Sequence, residues 1–145
     1  MIDKVLVPID LTTTQDKIAP LAKEIGRQYS SSLHLLFVVS QDYLKRDASY
    51  ANPALPNRIA KILPAVESKM EQYVADALTE LENVTMEVVV GEPAEEVVRY
   101  AVEKDMKLIL MCSNLQGTGD AAHSVTARVV RTSPVPVLSV NASLN

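Results

Sequence analysis

"GEPAEEVVRYAVEKDMKLILMCS", residues 91–113, decides how this chain folds. The apolar run "TMEVVV" (85–90) stops at Gly91, and Pro93 suits the first position of a helix, where a missing N–H costs nothing. Glu95 and Glu96 then put negative charge at the positive end of the helix dipole. After the helix comes "KLILMC" (107–112), short, apolar and continuous. A strand that is apolar without alternation is covered on both faces, as in a parallel sheet layered by helices. A strand end, a helix and a buried strand thus follow one another, the unit from which α/β folds are built.

The same grammar extends outward. "KVLVPI" (4–9), "LHLLFVV" (33–39) and "VPVLSV" (135–140) read as further strands. Ile18, Leu21, Ala22, Ile25 and Tyr29 recur at helical spacing, with Gly26 a weak point among them. Val66, Met70, Tyr73, Val74, Ala77, Leu78 and Leu81 form the cleanest stripe, and Pro64 is placed to start that helix. The last helix spans about residues 122–132 and must stop before Pro134. The order β-α-β-α-β-α-β-α-β predicts a single three-layer α/β domain over residues 1–145. Residues 40–60, with Pro53, Pro56 and no steady period, read as a long surface loop. The basic "LKR" (44–46) within it reads as solvated.

Composition narrows the function. At 48% hydrophobic residues and no Trp, the core must come from Val, Leu, Ile, Ala and Met. A net charge of −4 argues against nucleic acid or an anionic membrane as partner. "MIDKVLVPIDL" is broken by Asp3, Pro8 and Asp10 too early for a signal peptide. No apolar run approaches the roughly 20 residues that span a bilayer. With a single cysteine, Cys112, the expectation is a cytoplasmic protein. His34, His123 and Cys112 have no zinc-site spacing, so no metal is expected. Cys112, at a strand end, reads as a packing residue. No Walker loop, Ser-His-acid spacing or carboxylate pair appears, so no catalytic residue and no enzyme is expected.

Three stretches, in order, carry a family resemblance: "KVLVPID" (4–10), "GEPAEEVVRYAVEKDMKLILMCS" (91–113) and "SVTARVVRTSPVPVLSV" (124–140). Over nearly its whole length the chain resembles the universal stress protein family, the UspA-like domains. The resemblance implies a Rossmann-like sandwich, similar to the adenine nucleotide alpha hydrolases. Its five-stranded parallel sheet would have the order 3-2-1-4-5. It also implies a homodimer joined along the fifth strand, here Val135, Val137 and Ser139. ATP-binding members hold the nucleotide between strands 1 and 4. In that order those strands leave for opposite faces, which opens a crevice at their carboxyl ends. Residues 8–10 and 111–113, Met111 and Cys112 among them, would face each other across it.

By the same resemblance Pro8, Ile9 and Asp10 would contact adenine and ribose, and Val38 would line the adenine pocket. The phosphate half departs from the family. Its motif, Gly-x2-Gly-x9-Gly-Ser/Thr, falls on Cys112, Leu115, His123 and Ser124. All three glycines are replaced, and the step from Cys112 to His123 is two residues shorter than the motif's. Gly117 and Gly119 lie inside the loop but off the motif positions. Ser124 and Val125 open a helix whose first N–H groups could receive a small anion. The expectation is a dimeric, non-catalytic stress-response adaptor with a degenerate nucleotide site, no cofactor, and an unidentified protein partner. The alternative is an ATP- or AMP-binding sensor. An enzyme of adenylate chemistry would need the glycine-rich loop that is missing here, and a shared fold alone does not confer function.

Overall fold

Strands β1 (Lys4–Ile9), β2 (Ser32–Val39), β3 (Val84–Val90), β4 (Leu108–Cys112) and β5 (Val137–Val140) alternate with helices α1 (Ala19–Gln28), α2 (Leu55–Ala77), α3 (Pro93–Glu103) and α4 (Val125–Thr132). This computed structural model describes residues 1–10, 18–41, 55–113 and 125–141. The strands form one parallel sheet in the order β3-β2-β1-β4-β5, as expected. None of the described helices is long and apolar enough to cross a membrane.

The strand pleat sorts the apolar residues into two cores. Val5, Val7 and Ile9 of β1, with Leu33, Leu35, Phe37 and Val39 of β2, pack under α1 and α2. Leu6, Leu36 and Val38 point the other way, toward Ala94, Val97 and Ala101 of α3 and Val125 and Val129 of α4. Successive residues of a strand face opposite sides, so continuous apolar runs are what a sheet covered twice requires. The crossovers from β1 and β4 therefore lie on opposite faces, which makes β1/β4 the point where the strand order reverses.

Helix α2 corrects the sequence reading. It begins at Leu55, so residues 55–60 are helical rather than loop, and Pro64 lies inside the helix instead of starting it. Pro56 sits in the first turn, where the missing N–H is harmless. An interior proline costs about 3 kcal/mol. Against this, Ile62 is buried, and Ile59 and Leu63 pack against the same core. Burying one such side chain is worth roughly 1.5–3 kcal/mol, so together they outweigh the proline. Residues 42–54 of the expected loop lie outside the described residues.

Smaller corrections have equally local causes. Tyr29 is not part of the buried stripe. It follows the last residue of α1 and is 47% exposed. The stripe of α2 outlasts its helix, which ends at Ala77, while Leu78 remains buried. The chain then turns through Glu80 at φ 80°, bringing Leu81 onto Gly26. A Cβ at Gly26 would stand 3.2 Å from Leu81 Cδ2, so this glycine serves a close approach. β4 starts at Leu108 and β5 at Val137 rather than 107 and 135. Pro136 has no N–H to donate, and only its carbonyl joins the sheet, accepting from Ile109 N at 2.9 Å.

Candidate functional site

Pro8 limits the pairing of β1 with β4. In a parallel strand, alternate residues direct both N–H and C=O to one neighbour. Asp3 O accepts from Ser32 N on the β2 side, whereas Lys4 O accepts from Lys107 N on the β4 side. Even-numbered residues of β1 therefore face β4, and Pro8 has no N–H to offer there. The β1–β2 register runs to Ile9↔Phe37, while β1–β4 pairing is recorded only at Val5↔Leu108 and Leu6↔Ile109. The β1–β4 register thus ends two residues short of the proline, at the point where the strand order reverses.

The pleat divides the expected site residues. Val38, Met111 and Val125 lie in the core under α3 and α4. Ile9 and Cys112 belong to the opposite core, under α1 and α2. Pro8, buried between Val7 and Ile9, takes the α3/α4 side by the same alternation. Asp10, half-buried, follows β1 at the rim. Gly117, Gly119 and Ser124 lie outside the described residues, as do Leu115 and His123. Cys112 is fully buried, so its thiol packs in the core.

The end of β4 is tied down on two sides. Ser113 N donates to Val140 O at 2.8 Å, and the buried Thr126 donates its hydroxyl to the Cys112 carbonyl. Thr126 is the second residue of α4, so that bond fixes the start of the helix against the strand beneath it.

At the carboxyl ends of β2 and β3 lies a cleft of about 400 Å³. It is lined by Val39, Ser40, Gln41, Val90, Gly91, Glu92 and Pro93. Gly91 N donates to Val39 O at 3.1 Å, closing its floor. A side chain at Gly91 would meet the Glu96 carboxylate at 2.6 Å, which is why the turn is bare here. Glu92 is the N-cap of α3. One carboxylate oxygen accepts from Glu95 N at 2.8 Å, and the other pairs with Nη1 of Arg128 on α4.

Sequence reading missed both partners of this pair. Glu92 had a signal, because the residue before a proline at N1 occupies the N-cap position. Arg128 had none, since 36 residues separate the two.

The one histidine among the described residues lies elsewhere. His34 contacts the hydroxyls of Ser32 at 3.1 Å and Thr85 at 3.0 Å, and its ring meets Tyr100 at 6.5 Å between centroids. Burial, reinforced by Lys4, holds its pKa below the ordinary value. Burial and the Glu87 carboxylate push the Tyr100 phenol up to about 12. Among the described residues no group of acidic, His or Cys side chains could hold a metal ion.

Comparison with known proteins identifies the lineage. A family model described as the universal stress protein family matches residues 1–141. Universal stress protein Sll1654 of Synechocystis is 30% identical over 143 residues, covering 97% of this chain and 86% of its own. The solved structure of the protein MJ0577 superposes with a TM-score of 0.81 at 24% identity, covering 100% and 99% of the two chains. A universal stress protein in complex with cAMP has a TM-score of 0.67 at 20% identity, covering 97% and 98%. One from Archaeoglobus fulgidus in complex with dAMP has a TM-score of 0.66 at 16% identity, covering 97% and 100%.

Proposed function

The chain belongs to the universal stress protein family, and from that premise we propose that it is a non-catalytic, dimeric stress-response protein. Its crevice accepts an adenine mononucleotide but not a full triphosphate. The observation that carries this reading is the reversal of strand order at β1/β4, where the ladder ends two residues before Pro8 and half-buried Asp10 follows β1. Val38 and Met111 are buried on the α3/α4 side of the same strand ends.

Two facts favour the monophosphate. Two structural neighbours are in complex with cAMP and dAMP, each with a single phosphorus. The segment from Cys112 to Ser124 has no glycine at the motif positions, where phosphate oxygens would approach backbone N–H groups, and it is two residues short of the motif. The dimer would form along β5, an edge strand with no charged residue and with Leu138 exposed. Such a protein acts as an adaptor in the cytoplasm, where its single thiol stays reduced.

Melting the protein with AMP, cAMP and ATP tests the reading. A ligand at 100 times its Kd adds about 2.7 kcal/mol of stability. We expect AMP or cAMP at millimolar concentration to raise the melting temperature visibly and ATP to leave it unchanged. A larger shift with ATP would restore the triphosphate-sensor alternative, and no shift with any of the three would leave the adaptor without a nucleotide.

A further inference from the structure

β3 is an outer strand of the sheet, and among the described residues it pairs only with β2. Leu33 N donates to Asn83 O and Gly91 N donates to Val39 O, so the odd-numbered residues of this segment bond to β2. By the alternation of a parallel strand, Val84, Met86, Val88 and Val90 turn both N–H and C=O to the open edge. Such edges are usually blunted by lysine, proline, a bulge or brevity. The seven residues of β3, "VTMEVVV", contain no Lys or Pro and pair with β2 in an unbroken register, and Met86 and Val90 are exposed.

Between this edge and α2 runs a groove of about 230 Å³. Met70, Met86 and Val88 give it apolar surface, while Glu67, Glu71 and Glu87 give it three carboxylates, with no basic residue in the lining. Glu67 and Glu71 are exposed and lie one turn apart on α2. A second copy of the chain is a poor occupant. Pairing β3 with β3 would bring these carboxylates from both copies to one seam, between two chains that each carry a net charge of −4. Lys and Arg suit the groove, because their apolar stems can lie along the methionines while their charged heads reach the carboxylates.

We propose that the β3 edge is a docking site for an extended, basic segment of a partner protein, which adds to the sheet as a further strand. Its backbone pairs with Met86 and Val88, and Lys or Arg at alternate positions lies along α2 with its head at Glu67 and Glu71. The surface is two strands away from β1, so the proposal does not depend on nucleotide binding.

Fluorescence polarisation of a labelled peptide as long as β3, alternating Lys and Thr, tests this on the full chain. The wild type should bind it, more weakly as salt rises, and should not bind the matching Glu–Thr peptide. Glu67→Gln combined with Glu71→Gln should weaken binding roughly 2–30-fold, the worth of two exposed ion pairs. The Lys–Thr peptide N-methylated along its backbone keeps its charge and loses its donors, so it should bind at least about tenfold more weakly. Met86→Pro removes an N–H that faces the open edge, a change that an edge strand tolerates, and should weaken the unmethylated peptide similarly. Should that variant not fold, the methylated peptide makes the same test on the wild type. Absence of binding, equal binding of the Glu–Thr peptide, or indifference to N-methylation or to the glutamine replacements overturns the proposal. An oligomer in sedimentation that Met86→Pro abolishes would make a second copy the occupant and overturn it too. Melting with AMP and cAMP is read separately, so the nucleotide reading and this one can each fail alone.

Discussion

Replacing Thr126 by Val tests whether the start of α4 is fastened to the end of β4. The side chain is buried and its hydroxyl donates to the Cys112 carbonyl, which belongs to a fully buried residue. Valine nearly preserves the volume and removes the donor. A buried acceptor that loses a partner costs about 1–3 kcal/mol. The methyl group replacing the hydroxyl returns part of this through apolar burial, roughly 0.8 kcal/mol for one carbon. The net loss should be about 0.2–2.2 kcal/mol. For a chain of this size that corresponds to a melting temperature lower by up to roughly 7 °C. Thr126→Ser keeps the hydroxyl and loses only a methyl, so it should retain more stability than Thr126→Val. Urea denaturation with an unchanged m-value would measure both variants. If Thr126→Val is as stable as wild type, or Thr126→Ser is the weaker of the two, the hydroxyl does not hold the helix.

Two further outcomes are expected. Leu138→Glu places a charge on the exposed side of β5, so it should weaken the dimer at least tenfold in sedimentation while leaving the circular dichroism spectrum of the fold intact; an unchanged dimer would move the interface elsewhere. The lowered pKa of His34 means that the folded protein binds fewer protons than the unfolded chain below about pH 6.5, so its contribution to stability is present above that pH and declines as pH falls. Denaturation of wild type and His34→Gln between pH 7.5 and 5 should therefore show the steeper loss in wild type, and equal slopes would refute it.

The architecture was legible because burial on both faces leaves a plain mark. "LHLLFVV" and "KLILMC" carry no alternation, and only a sheet layered twice keeps such runs out of water. Pro64 misled because proline at a helix start is a local preference, worth less than the apolar side chains of Ile62 and Leu63 that extend the helix past it. The site was legible in part. Pro8 and Asp10 stand out beside a strand end, but which neighbour Pro8 fails to bond depends on pairing, and pairing emerges only with the assembled sheet. The face on which each residue lies follows once one residue of a strand is placed, and it separates Met111 from Cys112 although they are adjacent in the chain. Glu92 and Arg128 meet because α3 and α4 cover the same face, a fact of topology that no local pattern contains.

The interrupted ladder also has a mechanical side. Lys4, Val5 and Leu6 fasten β1 to Lys107, Leu108 and Ile109, and beyond them the strands run on without recorded pairing, whereas β1 is joined to β2 along its full length. The sheet behaves as two leaves sewn together over the amino-terminal half of one seam, with β1, β2 and β3 on one side and β4 and β5 on the other. Local opening starts where backbone bonds are fewest. The far end of that seam is the β1/β4 reversal at which a nucleotide is proposed to sit, and a molecule lodged there would add stitches to it. Occupancy would then be felt by both helical layers at once, because Ile9 and Cys112 are rooted in one core and Val38 and Met111 in the other.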